Sequence, residues 1–242
     1  MAQVRLYDLH LPDQPRGIWS PNACKTRYAL NIKGIPYESE FLTFDEVRTE
    51  IPKVTKTDKP PTVPVIVDLA HDNKTVQDSW EIAQYLEKVY PDSPSLFDSN
   101  EGVHLFFHNY CNTHLLRPLF QLVVLDAYRR SGPESTQKWY RENREELLGQ
   151  TLEQFAGNPD DHLAALPKLL EPCTTVLLSY PFLTGEKVGW ADVVLASYLT
   201  MVAALKPELF KSHILSGYTN SDSLRNWWKR MEIYRGEAPP NA

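Results

Sequence analysis

Ser20-Pro21-Asn22 holds the residues whose types and order best suit chemistry. Serine followed by proline reads as a helix N-cap with proline at the first helical position, where its missing N–H is no loss. A helix start carries unpaired N–H donors and a partial positive charge. A thiolate resting there is stabilised by those donors and by any hydroxyl that donates to it, so a bound thiol's pKa falls. Ser20 serves equally well as a plain cap. The Asn22 amide is able to donate to the same anion, and the residues alone do not choose between Ser20 and Asn22.

Two further pairs have the right chemistry to hold the rest of a small peptidic ligand. Val63-Pro64 enters a strand through a proline, either an ordinary edge proline or a candidate cis bond. The Val63 N–H and C=O would then be available to pair with an extended peptide. Asp78-Ser79 opens the next helix. It can cap that helix, or the carboxylate can meet an ammonium while the Ser79 hydroxyl and N–H meet a carboxylate. A competing set is His104, His108, Cys111 and His114. Spacings of four and three bring the first three to one helical face, as a metal site requires. Neighbouring Phe106, Phe107 and Tyr110 favour a packed helix face instead, and no metal is expected.

The elements that must position these residues are legible from periodicity and breakers. Val4 to Leu9 reads as a buried strand, and Ser20 to Gly34 as a helix with start and stop signals at both ends. Tyr37 to Leu42 completes a βαβ unit. A short helix is expected over Asp45 to Val54 and strands over Thr62 to Val67 and at Thr75-Val76. A helix with Ile82, Leu86 and Val89 on one face then ends at Tyr90-Pro91. From Pro91 to Asn100 the chain looks like a hinge, and beyond it strand signals vanish. Helical periodicity covers Val103 to Arg130, Thr136 to Ala156, His162 to Leu178 with a break at Pro172, Ala191 to Leu205 and Leu224 to Tyr234. The expectation is an α/β domain over residues 1–92 and an all-α bundle over 101–242.

Composition excludes several classes. The chain has 242 residues, 42% hydrophobic and 23% charged, ample for one large core or two modest ones. With a net charge of -6 and no basic stripe, nucleic acid is not an expected partner. Apolar runs such as Leu122-Val123-Val124-Leu125 are too short for a membrane span. The start, Met1-Ala2-Gln3-Val4-Arg5, meets Asp8 and His10 too soon for a signal-peptide core, so a cytoplasmic location is expected. Three cysteines, Cys24, Cys111 and Cys173, do not make a disulfide framework.

In order and spacing, Ser20, Val63-Pro64 and Asp78-Ser79 inside βαβ–ββα resemble the thioredoxin-like domain of cytosolic glutathione transferases. The resemblance implies that glutathione is the cosubstrate. It further implies that the start of the first helix activates its thiol, that Val63 before a cis-proline pairs with its cysteinyl backbone, and that the acidic-Ser pair holds its γ-glutamyl end. Asp78 stands where Glu is usual. Phe182-Leu183-Thr184-Gly185 with Gly189-Trp190-Ala191-Asp192 resembles the family's buried core helix and its capping box, with Gly189 replacing the usual hydroxyl residue. Ser20-Pro21-Asn22, Lys59-Pro60-Pro61-Thr62-Val63-Pro64 and Gln77-Asp78-Ser79 are similar to the fungal, etherase-related class. That likeness implies conjugation of glutathione to aromatic electrophiles such as aryl ethers or wood-derived compounds, peroxide reduction and a homodimer, or alternatively a ligandin that binds aromatic compounds. The acceptor site is expected between the domains, with Phe106, Phe107 and Tyr110 as walls. Lys53, Lys56 and Lys59 are equal candidates for the glycyl carboxylate. Thioredoxin-like redox enzymes need Cys at position 20; its absence favours transfer chemistry over disulfide exchange.

Overall fold

β1 (Val4–Leu9) forms the middle of the sheet because its residues are buried almost throughout. The computed structural model describes residues 2–237 and 239 of the chain. β1 pairs in parallel with β2 (Tyr37–Leu42) and antiparallel with β3 (Val65–Asp68), which in turn pairs antiparallel with β4 (Lys74–Gln77). The order is β2-β1-β3-β4. The parallel step from β1 to β2 is made by α1 (Pro21–Lys33), as a crossover requires. α1 stops at Gly34, whose φ of 67° suits glycine, while Ile35 N–H reaches back 3.0 Å to the Leu30 carbonyl. α2 (Phe44–Thr55) begins with a reciprocal capping box between Thr43 and Glu46.

α3 (Ser79–Val89) is tied to the sheet through Asp68. This fully buried carboxylate accepts from the hydroxyls of Tyr85 at 3.0 Å and Tyr90 at 2.9 Å. The start of α3, and with it Asp78-Ser79, is therefore fixed relative to β3. Below the sheet, Asp8 and Arg27 form an ion pair of 2.6 Å in which both side chains are inaccessible to solvent. Breaking such a pair costs about 3–5 kcal/mol, so it holds α1 against β1.

The remainder of the described chain is helical, and three expected helices differ in detail. Val103 to Arg130 is two helices, α4 (Glu101–His114) and α5 (Leu116–Arg129). Pro118 explains the break, because its ring opposes the carbonyl four residues earlier and is tolerated only in a first turn. Thr136 to Ala156 is likewise α6 (Glu134–Leu148) and α7 (Leu152–Ala156), separated by left-handed Gly149 and a Thr151–Gln154 capping box. Conversely, α8 (Pro159–Ser179) runs unbroken through Pro167 and Pro172. An interior proline costs about 3 kcal/mol. Burial of Leu166, Leu170 and Leu177, worth about 1.5–3 kcal/mol each, offsets the two prolines together.

α9 (Trp190–Leu205) is the axis of the helical part and is buried nearly end to end. α10 (Pro207–Leu209) runs into a π-helical turn at Phe210–Ile214, and α11 (Ser221–Met231) closes the bundle. At the start of α9 the buried Asp192 carboxylate accepts from Leu183 N–H, Thr184 N–H and hydroxyl, Gly189 N–H and Trp227 Nε1. The two halves of the chain pack directly on one another. α1 lies on α9, where the Tyr28 hydroxyl meets Thr200 Oγ1 at 3.1 Å, and Arg130 grips Asp13 through two nitrogens at 2.7 and 3.2 Å.

Candidate functional site

Ser20 is extended at φ -64°, ψ 118° and immediately precedes α1, but its side chain makes no capping hydrogen bond. The hydroxyl is thus not spent on the helix, although the residue is only 5% exposed. Asn22, on the first turn, is exposed, and its Oδ1 accepts from Lys25 Nζ at 3.1 Å. Ser20, Asn22 and the unpaired first-turn N–H groups all belong to the helix start, where the dipole is positive. Tyr7 is buried within β1, in register with Glu40 and Val65.

The Val63-Pro64 peptide is cis. β3 begins only at Val65, later than the periodicity predicts, since Pro64 has no N–H to give a ladder. Val63 is half-buried, and among the described residues its N–H and C=O have no hydrogen-bond partner. Gln77 clamps the preceding loop, its Nε2 donating to the carbonyls of Pro60 at 3.0 Å and Thr62 at 3.2 Å. Its place directly before Asp78 was the only trace of this role in the sequence. Asp78 stands at φ 89°, ψ 134°, in left-handed space that a non-glycine residue enters at a cost of order 1–3 kcal/mol. Its Oδ1 accepts from Trp80 N–H at 2.8 Å and Glu81 N–H at 3.2 Å, leaving Oδ2 without such a role. Ser79 is buried at the helix start.

Sequence reasoning passed over Lys25, a cation only 2% exposed on α1. Its spacing of three from Asn22, which puts both on one helix face, was the available signal. Of the lysines proposed for a carboxylate, Lys53 pairs with Glu50 at 2.7 Å and Lys59 with Glu81 at 3.5 Å.

The chain's own thiols are poor nucleophiles. Burial pushes Cys173 up to about 12 and raises Cys24 and Cys111 further still. Cys24 faces the core.

His104, His108 and Cys111 do share a face, and it is a packed one. Trp190 Nε1 donates to His108 Nδ1 at 3.2 Å, His108 stacks on Trp190, and His104 lies against Phe97. Among the described residues no group of three His, Cys, Asp or Glu is placed to hold a metal. Burial first, and Lys25 second, lower His108 to about 4. Unfolded histidine takes a proton near 6.5, so the unfolded chain binds the extra proton between 6.5 and 4 and acid destabilises the fold in that window. His108→Gln, which keeps an acceptor for Trp190, should remove about 1–2 kcal/mol of the stability lost on going from pH 7 to 4.5. Urea midpoints at the two pH values check this.

Phe106, Phe107 and Tyr110 line a cavity of about 550 Å³, but its other wall is α8, through Leu169, Pro172 and Val176, rather than the N-terminal half. The helical period accounts for this: with His108 turned to Trp190, the Phe106, Phe107 and Tyr110 flank turns to α8.

Comparison with known proteins matches residues 19–89 to the family model "Glutathione S-transferase, N-terminal domain" and residues 102–234 to "Glutathione S-transferase, C-terminal domain". A glutathione S-transferase-like protein of Aspergillus flavus, ustS, is 25% identical over 90% of this chain and 86% of its own length. Among solved structures, glutathione transferase GSTFuA3 of Phanerochaete chrysosporium superposes with a TM-score of 0.83 at 28% identity, covering 97% of this chain and 98% of that one. The Ceriporiopsis subvermispora glutathione S-transferase CsGST83044, solved in complex with glutathione, gives 0.75 at 26% identity, covering 96% and 97%. Likeness to GSTFuA3, and to GSTFuA2 at the same TM-score, supports the fungal etherase-related class.

Proposed function

This chain belongs to the glutathione S-transferase family, and on that premise we propose that it activates glutathione at the start of α1 for attack on hydrophobic, aromatic electrophiles. The tripeptide lies extended, with its γ-glutamyl end on Asp78-Ser79, its cysteinyl backbone on the free Val63 N–H and C=O, and its sulfur at Ser20 and Asn22. The observation that carries this reading is the Ser20 hydroxyl, buried at a helix start yet not capping it. The thiolate sulfur forms a bond to the electrophilic carbon, and the leaving group departs with the bonding pair. The protein supplies orientation and a lowered thiol pKa, and the cosubstrate supplies the nucleophile. Residues 1–92 form the glutathione side and 101–242 the acceptor side, in a cytoplasmic homodimer.

The acceptors we favour are aryl ethers or wood-derived aromatics. A second reading, a ligandin that stores aromatic compounds with weak turnover, is favoured by the cavity between α4 and α8, whose walls are largely apolar. A conjugation assay with glutathione and a small aromatic electrophile tests the proposal. Turnover supports the transferase; tight aromatic binding without turnover supports the ligandin. Asp78→Asn keeps a capping acceptor and deletes the charge. It should raise the KM for glutathione about tenfold, with little change in melting temperature.

A further inference from the structure

Lys25 occupies a position that lysine rarely takes: its side chain is buried at the junction of α1, α4 and α9. Nζ donates to Asn22 Oδ1 and stands 5.0 Å from the centre of the Tyr198 ring. The Tyr198 hydroxyl in turn donates to Asn112 Oδ1 on α4. The groups that act on Lys25 from around it are Asp78 at the α3 cap, Cys24 on α1, and Cys111 and His108 on α4. An ammonium offers only donors, so the Asn22 amide must turn its oxygen toward Lys25. Its NH₂ group is thereby directed away from Lys25, leaving both N–H bonds for another acceptor.

We propose that Lys25 is a positioning residue for thiol activation: it locks the Asn22 amide in the donating orientation and places a buried positive charge behind the thiolate. This rests on the reading of Ser20 and Asn22 as the thiol site. A cation at this depth stabilises an anion more than a surface lysine does, because little water screens it. Burial brings the Lys25 ammonium down to about 8, with Asp78 pulling the other way. It is charged at neutral pH and loses its proton in mild alkali. Between 8 and the ordinary 10.5 the unfolded chain holds the extra proton, so this group's contribution to stability rises with pH there. A loss of turnover above pH 8 is then not attributable to unfolding driven by Lys25.

The test is Lys25→Met, which keeps length and removes charge and donor, beside Lys25→Arg, which keeps both. Turnover and the pKa of the enzyme-bound thiol, followed by thiolate ultraviolet absorbance, are measured for each, with thermal melts to show folding. Lys25→Met is expected to lower kcat about tenfold at pH 7, leave the KM for glutathione within about twofold, and raise the bound thiol's pKa by about one unit. In an Asn22→Ala background the same change should cost less than about threefold, since the orientation route is already gone. Lys25→Arg, which keeps the charge and a donor for Asn22 Oδ1, should retain kcat within about threefold. If Lys25→Met leaves kcat and thiol pKa unchanged while Ser20→Ala or Asn22→Ala lowers turnover, the role of Lys25 is overturned and the site stands. If none of these variants changes turnover, the site and Lys25's role in it fall together. Should Lys25→Met not fold, a folded Lys25→Arg as slow as Asn22→Ala overturns the proposal, and one with near-native turnover and thiol pKa supports it.

Discussion

Ser20→Ala should lower kcat/KM for glutathione conjugation by about 10- to 100-fold, with the melting temperature almost unchanged. The hydroxyl is not a cap, so α1 loses nothing when it goes. A hydrogen bond to an ionic partner is worth about 1.5–3 kcal/mol, and each 1.4 kcal/mol is a factor of ten. Asn22→Ala should cost about tenfold, because its amide is exposed and on the proposed reading would share the anion with the helix N–H groups. Steady-state rates at pH 7, with melts on the same preparations, separate this from a capping role. A plain N-cap would lose about 1 kcal/mol of stability and little activity.

Asp192→Ala should be among the most damaging single changes away from the site. It strips the acceptor from Leu183, Thr184, Gly189 and Trp227, all of which meet one fully buried carboxylate. Each buried donor left unpaired costs about 1–3 kcal/mol. Relaxation and water entry bring the total to about 3–5 kcal/mol, or roughly 10 °C in melting temperature for a chain of this size. Asp192→Asn should recover part of the loss, since an amide still accepts through its oxygen. Urea unfolding of the three proteins measures the series.

The α/β half was legible because its residues declare their positions locally. The buried run of β1, the Ser20-Pro21 start and the Gly34 stop each need no distant partner to be read. The capping role of Asp192 was also visible in its spacing from Gly189. The helical half was read less sharply, for two different reasons. Gly149 and the Thr151–Gln154 box carried their own signals and are ordinary turn chemistry within a long helical pattern. The continuity of α8 through two prolines depends on tertiary burial that no local pattern reports. The same holds at the site. Ser20, Val63 and Asp78 are set by backbone geometry at element ends. Lys25 is set by Tyr198, which lies far along the chain on α9, so its burial shows only in three dimensions. The cavity beside Phe106 and Tyr110 turned to α8 rather than to the N-terminal half for a similar reason: the faces of α4 are assigned by Trp190.

A thiol bound at the start of α1 should be ionised there. Titrating glutathione on the wild-type protein, with thiolate absorbance as the readout, tests it most directly. A free thiol titrates near about 8.5. The bound thiol is predicted to titrate at about 7 or below, and to return most of the way toward its free value in the Ser20→Ala, Asn22→Ala double variant. A bound thiol that titrates in the wild-type protein as it does in free solution would contradict the account.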